Sequence, residues 1–262
     1  MKLFYRRYGE GPPIIILHGL YGSSDNWVTI AKAIGHRFTV FLPDQRNHGH
    51  SPHDEIHDYD SIANDLYELA SDLDLKKFFL AGHSMGGKTA MTFALKWPEM
   101  VQGLLIADIS PFSDEERKIR ARNEVSEILK SIIDTDVLKA TSRAEADRML
   151  AVRIYSERVR ALILKNLQRD EKNKFTWKLN AVTLINNLDK IVEGVPCQQP
   201  VTGFPVIFLK GENSDYILKE DYRHIINLFP AAEIRVIKDA GHWLHADNPE
   251  AVEEALLELL DY

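Results

Sequence analysis

The sequence carries the three side-chain types that acyl transfer through a serine requires, spread along the chain in the order serine, acid, histidine. The serine is Ser84, within Gly82-His83-Ser84-Met85-Gly86-Gly87-Lys88. It follows the apolar run Phe78-Phe79-Leu80-Ala81 and leads straight into a helix-periodic segment from Lys88 to Trp97. Gly-x-Ser-x-Gly also arises by chance in glycine loops, and it is the strand before and the helix after that give it weight. A serine at such a reversal sits on a tight, strained turn that lifts its hydroxyl clear of the sheet edge. The helix behind it turns unpaired N–H groups and its positive dipole end toward a developing oxyanion, with Met85 N–H as the first donor.

Two carboxylates compete for the acid. Asp108 ends the apolar run Gly103-Leu104-Leu105-Ile106-Ala107, and Asp215 lies in Gly211-Glu212-Asn213-Ser214-Asp215-Tyr216 after a later run. In a parallel sheet, catalytic groups gather at the carboxyl edge, which suits both positions. His242, in Ala240-Gly241-His242-Trp243-Leu244-His245, is the expected base. Alone it would read as a structural histidine; its place after the serine and the acid gives it the role. A second oxyanion donor is expected from Leu20 N–H in His18-Gly19-Leu20-Tyr21-Gly22-Ser23, for which a plain glycine turn is the other reading. His18 is expected to brace that loop.

These groups need a scaffold, and the periodicity supplies one. Tyr8 and the residues before it alternate as an edge strand, and Ile14 to Leu17 reads as a strand buried on both faces, the mark of a parallel sheet. A helix from Trp27 to Ile34, a strand from Phe38 to Leu42, and a helix from Tyr59 to Leu73 capped by Asp60 or Ser61 continue the alternation of an α/β fold. After Pro111 the composition changes. Charged helical patterns run from Asp114 to Ile133, Ser142 to Leu150, Ser156 to Gln168 and Ala181 to Val192, and strand signals nearly vanish apart from Phe175-Thr176-Trp177. Strands resume at Phe204 to Gly211 and Glu233 to Ile237, and a helix from Glu250 to Leu260 follows. The expected organisation is a core of residues 1–111 and 196–262 with a helical lid at 112–195. Trp177, Leu179 and Met149 are the lid's expected apolar contacts with substrate.

At 262 residues and a net charge of −7, the chain has a core-forming length and no basic cluster for nucleic acid. The single cysteine, Cys197, excludes an internal disulfide. No run approaches a membrane span or a signal peptide, so a cytoplasmic protein, monomeric or homodimeric, is expected. His48, His50, His53 and His57 raise a metal site as a rival, but Gly49, Ser51 and Pro52 stand between the first three, where a metal-dependent hydrolase would place a carboxylate. A polar loop held by Asp44 and Arg46 is the preferred account, with no metal and no cofactor.

Taken together, His18-Gly19, Asp44-Gln45-Arg46-Asn47-His48-Gly49-His50-Ser51, the Ser84 motif, Ala107-Asp108-Ile109-Ser110-Pro111 and Gly241-His242-Trp243-Leu244-His245-Ala246 resemble the α/β-hydrolase superfamily. Within it they are similar to the YbfF-type bacterial esterases and their mitochondrial relatives. The resemblance spans the core and is loose over the lid. It implies a mostly parallel sheet flanked by helices, a helical cap, and a serine hydrolase acting on carboxylic esters or acyl thioesters, acyl-CoA among them. Many members of the superfamily carry the acid where Ser214 stands here; the YbfF-like sequences resemble this one in having Asn-Ser in that loop and an aspartate matching Asp108. Asp108 is preferred to Asp215 because a one-residue shift in a tight loop re-aims the side chain beyond hydrogen-bond reach. Carbon–carbon bond hydrolysis or a lyase-type elimination on the same serine and histidine is the alternative chemistry. A ligand sensor on a hydrolase scaffold is the alternative class, and its usual mark, a broken triad, is not visible.

Overall fold

The computed structural model describes residues 1–196 and 199–261; Cys197 lies outside the described residues. Nine strands are described: β1 (Tyr5–Tyr8), β2 (Pro13–Leu17), β3 (Thr39–Pro43), β4 (Phe78–His83), β5 (Val101–Ala107), β6 (Leu167–Arg169), β7 (Phe175–Trp177), β8 (Val206–Gly211) and β9 (Ala232–Ile237). Seven of them form one sheet in the order β1-β3-β2-β4-β5-β8-β9, antiparallel only at the β1 edge. The order turns back on itself between β2 and β4, and loops that leave neighbouring strands there part to opposite faces and open a crevice at the carboxyl edge.

Both faces of the sheet are covered, as the unbroken apolar run Ile14 to Leu17 requires. On one face α1 (Val28–Ile34) and the C-terminal α11 (Pro249–Glu258) bury Ile30, Ile34, Val252 and Leu256 against Ile14, Ile16 and Leu105. On the other, α2 (Tyr59–Asp72) and α3 (Met85–Lys96) pack Leu66, Leu69, Met91 and Phe93 against Ile15, Leu80 and Leu104, with α9 (Tyr222–Leu228) beside them. A short α10 (Leu244–Asp247) precedes α11. Asp58, not Asp60 or Ser61, caps α2, accepting Ser61 N–H at 2.8 Å. Extended backbone at Asp58 leaves its carboxylate free to turn back on the first turn, whereas Asp60 and Ser61 are already inside the helix.

Between β5 and β8 lie α4 (Glu115–Asp134), α5 (Arg143–Ala151), α6 (Glu157–Leu164), α7 (Ala181–Asn186), α8 (Leu188–Val192) and the β6–β7 hairpin. These elements have apolar clusters of their own, one around Leu129, Ile132, Leu150, Ile163 and Leu184 and a smaller one around Val137, Ala146 and Phe175. The expected helix from Ser156 to Gln168 stops at Leu164, and Leu167–Arg169 pairs with Phe175–Trp177 instead. An Asx turn decides this: Asp170 Oδ1 accepts the N–H groups of Lys172 and Lys174, and Asn173 takes a left-handed conformation, which closes a hairpin where a helix would otherwise continue. Asn187 likewise divides the expected Ala181 to Val192 helix into two.

Candidate active site

Five loops, at the carboxyl ends of β2, β4, β5, β8 and β9, converge. Ser84 follows β4 at φ 53° and ψ −116°, a left-handed backbone that a non-glycine residue holds only under constraint. The constraint is close packing of the turn. A Cβ on Gly82 would stand 2.2 Å from Gly86 O, and one on Gly86 would stand 2.5 Å from Leu17 O, so neither position has room for a side chain. Ser84 N–H is anchored to Ala107 O at 3.0 Å, and α3 starts at Met85, whose N–H lies in the unpaired first turn.

Asp108 sits at the end of β5 with φ 51° and is completely buried. Its Oδ1 accepts Gly211 N–H at 2.9 Å, while its Oδ2 accepts His242 Nδ1–H at 2.8 Å and also the Ser214 hydroxyl. A carboxylate with no solvent contact is held by these three donors, so its negative charge is directed onto the His242 ring. The bond at Nδ1 leaves His242 Nε2 free to accept a proton. Tyr216 stacks on the same ring at a centroid separation of 3.7 Å and an interplanar angle of 15°. Its π-face sits where it favours a cationic imidazole.

Asp215, the competing acid, is turned elsewhere: it is well exposed and pairs with Arg120 at 2.8 Å. Of the two carboxylates only Asp108 touches His242. Ser214 and Tyr216, which flank Asp215, are the contacts that sequence reasoning passes over; no spacing signals them, because the β8 loop is brought to Asp108 and His242 only by sheet pairing.

The oxyanion loop after β2 is fixed from beneath. His18 is buried; its Nε2 accepts Gln45 N–H at 3.0 Å and its Nδ1–H donates to Gly19 O at 2.9 Å. Burial lowers its pKa, so it stays neutral and structural, as expected. Gln45 also donates to His18 O at 2.7 Å and accepts from Thr89 of α3, tying the loop to the nucleophile helix. Asp44 holds the following loop through Ser24 N–H at 2.6 Å and His50 N–H at 2.8 Å, while Arg46 binds Asp65 through two nitrogens at 2.6 and 2.9 Å. His48 donates to Arg46 O and His53 to Lys178 O, and His57 accepts from Asn47, so these histidines serve the loop.

Ser84, His242, Met85 and Leu20 line one cavity of about 350 Å³. Its walls include Ile109 from the sheet edge and Val125, Ile128, Val159, Leu162 and Ile191 from the segment between β5 and β8. Trp177, Leu179 and Met149 are not among the lining residues; they pack into that segment's own clusters, because the apolar faces of α4 and α6 are the ones turned to the cavity. Lys88, one turn along α3 from Ser84, lines the cavity too and donates to Ile191 O and Glu193 O at 3.2 and 2.5 Å. Burial pushes its pKa down to about 7.

Residues 12–249 match the family model described as the alpha/beta hydrolase fold. The chain is 38% identical over 248 residues to the sn-1-specific diacylglycerol lipase ABHD11 of Danio rerio, covering 92% of this chain and 76% of the relative. It is 30% identical over 251 residues to esterase YbfF of Escherichia coli strain K12, covering 95% and 93%. A solved marine microorganism esterase superposes with a TM-score of 0.93 at 40% identity, covering 98% of this chain and 99% of that one.

Proposed function

The chain belongs to the α/β-hydrolase family and has esterase relatives along nearly its whole length; from this premise we propose that it hydrolyses carboxylic esters through a triad of Ser84, His242 and Asp108. The observation that carries the assignment is the buried Asp108 carboxylate bonded to His242 Nδ1 at 2.8 Å, on the rim of the cavity that Ser84 lines. His242 Nε2 takes the Ser84 proton as Oγ attacks the substrate carbonyl, and the imidazolium is stabilised by Asp108 below and Tyr216 across its face. Met85 and Leu20 N–H groups receive the oxyanion. Collapse of the tetrahedral intermediate passes the proton from His242 to the leaving group, and water, deprotonated by the same ring, cleaves the acyl-enzyme. Ser214 and Gly211 N–H hold Asp108 so that it orients the ring.

Residues 112–195 form a cap that closes the cavity from above and gives it an apolar acyl wall through Val125, Ile128, Val159 and Leu162. Acyl thioesters, acyl-CoA among them, belong to the substrate class on the same chemistry, since a thiolate leaves more readily than an alkoxide. The protein works without metal or cofactor. A panel of p-nitrophenyl and CoA esters from acetyl to palmitoyl, assayed with wild type and Ser84→Ala, tests the proposal. Hydrolysis falling by several orders of magnitude in the variant supports it. Unchanged turnover by Ser84→Ala removes the serine mechanism, and no turnover of any ester by wild type removes the activity.

A further inference from the structure

The triad account leaves His83 unused, although it precedes the nucleophile and is buried between the loop that carries His242 and the oxyanion loop. Its Nε2–H donates to His242 O at 2.7 Å, across 159 positions of sequence. The ring lies 4.6 Å from the His242 ring and 5.0 Å, edge-on, from that of His245, which in turn stacks on Trp27 at 4.7 Å. On its other side His83 Nδ1 stands 2.8 Å from where a Cβ on Gly19 would be, and the Ser84 Cβ stands 3.3 Å from that same point. The oxyanion loop therefore closes directly onto His83, and glycine is the residue that lets it.

We propose that His83 is a positioning residue that sets His242 relative to Ser84 and the Leu20 loop, through its Nε2–H bond to the His242 carbonyl and its contact with Gly19. This rests on Ser84 and His242 being the nucleophile and base. Asp108 fixes the rotation of the imidazole through Nδ1, and the loop that carries His242 is tied to the neighbouring β8 loop by Asn213 N–H to Ala240 O at 2.9 Å and Asp239 N–H to Glu212 Oε2 at 3.0 Å. Gly241 N–H to Asp247 Oδ2 at 2.9 Å adds a tie internal to the C-terminal segment, and neither it nor the bonds to the β8 loop registers His242 against β4. His83 supplies the bond that crosses. Its burial, together with the neighbouring His242 and His245, holds it neutral, so it fixes geometry without exchanging protons during turnover. Displacing the reacting groups by about 1 Å costs about a hundredfold in rate, which is the scale a lost brace reaches.

The test uses His83→Leu, which keeps apolar bulk and removes the donor, His83→Gln, whose amide reaches the Nε2 position, and His83→Asn, whose amide does not. Ser84→Ala and His242→Ala run beside them. With a short-chain p-nitrophenyl ester, His83→Leu and His83→Asn are expected to lower kcat about tenfold to a hundredfold with KM within about threefold, and His83→Gln to recover most of the loss. Melting temperatures of the three variants separate this from simple destabilisation, and the glutamine–asparagine pair decides the matter if the leucine variant does not fold. Equal kcat in glutamine and asparagine variants, or losses confined to KM or following melting temperature, overturn the proposal. Full activity in Ser84→Ala or His242→Ala overturns instead the mechanism on which it stands.

Discussion

Acid should unfold this protein earlier than its carboxylates require, because it buries neutral histidines. His57 is held at a pKa of about 3 and His245 at about 4, in both cases chiefly by burial, with nearby positive charge adding to the effect. In the unfolded chain a histidine titrates near 6.5, so between that value and the native one the unfolded state binds the extra proton. Each such group contributes stability that is complete above the unfolded value and is lost as pH falls toward the folded one. Lowering pH from 7 to 5 therefore removes about 2 kcal/mol per group, or about 4 kcal/mol for the pair, a large part of the 5–15 kcal/mol typical of a domain. His18, His48 and His83 are shifted in the same direction by burial and add to the loss. Urea unfolding followed by tryptophan fluorescence at pH 7, 6, 5.5 and 5 measures it. Near pH 5 the free energy should fall by at least about 2.5 kcal/mol per pH unit, the slope of nearly two protons. His57→Gln should lower that slope by about one proton. A slope of less than half a proton through this range, in a protein that remains folded, would refute the linkage.

Lys88 acts in the same direction at the other end of the scale: burial holds its native value at about 7, below the 10.5 of an exposed lysine, so stability should go on rising between pH 7 and 10, and Lys88→Met should abolish that rise in the same urea titration. Asp108→Asn should cut kcat for ester hydrolysis by about a thousandfold to ten-thousandfold, and Asp215→Asn, whose carboxylate pairs with Arg120, should leave it within about threefold; matched losses would place the acid elsewhere. Gly82→Ala forces a Cβ to within 2.2 Å of Gly86 O and should destabilise the fold by more than about 2 kcal/mol, read by thermal denaturation, with loss of serine labelling by a fluorophosphonate probe.

Local sequence was sufficient for the elements whose physics is local. The apolar runs at Ile14 to Leu17, Phe78 to Ala81 and Gly103 to Ala107 can be satisfied only as strands buried on two faces, and glycine on either side of Ser84 marks a turn without room for side chains. Those features determined the sheet, the position of Ser84 at its edge, and the shortlist of Asp108, Asp215 and His242. Of the hairpin only the strand Phe175–Trp177 was legible; Leu167–Arg169 read as helix, because an Asx turn and a partner strand outweigh a helical pattern of apolar residues. Nor was the choice of cavity wall, since every apolar face between β5 and β8 looks alike until packing shows which one is turned toward Ser84.

What only the tertiary structure decided is which distant groups touch. Pairing of β5 with β8 and of β8 with β9 brings Asp108, Ser214 and His242 together across 134 positions, and it leaves Asp215, one residue from Ser214, bonded to Arg120. Strand register fixes side-chain direction residue by residue, and no property of the isolated loop carries that information. The bond from His83 to the His242 carbonyl is of the same kind: its donor is plain in the sequence, and its acceptor exists only once the two loops share an edge.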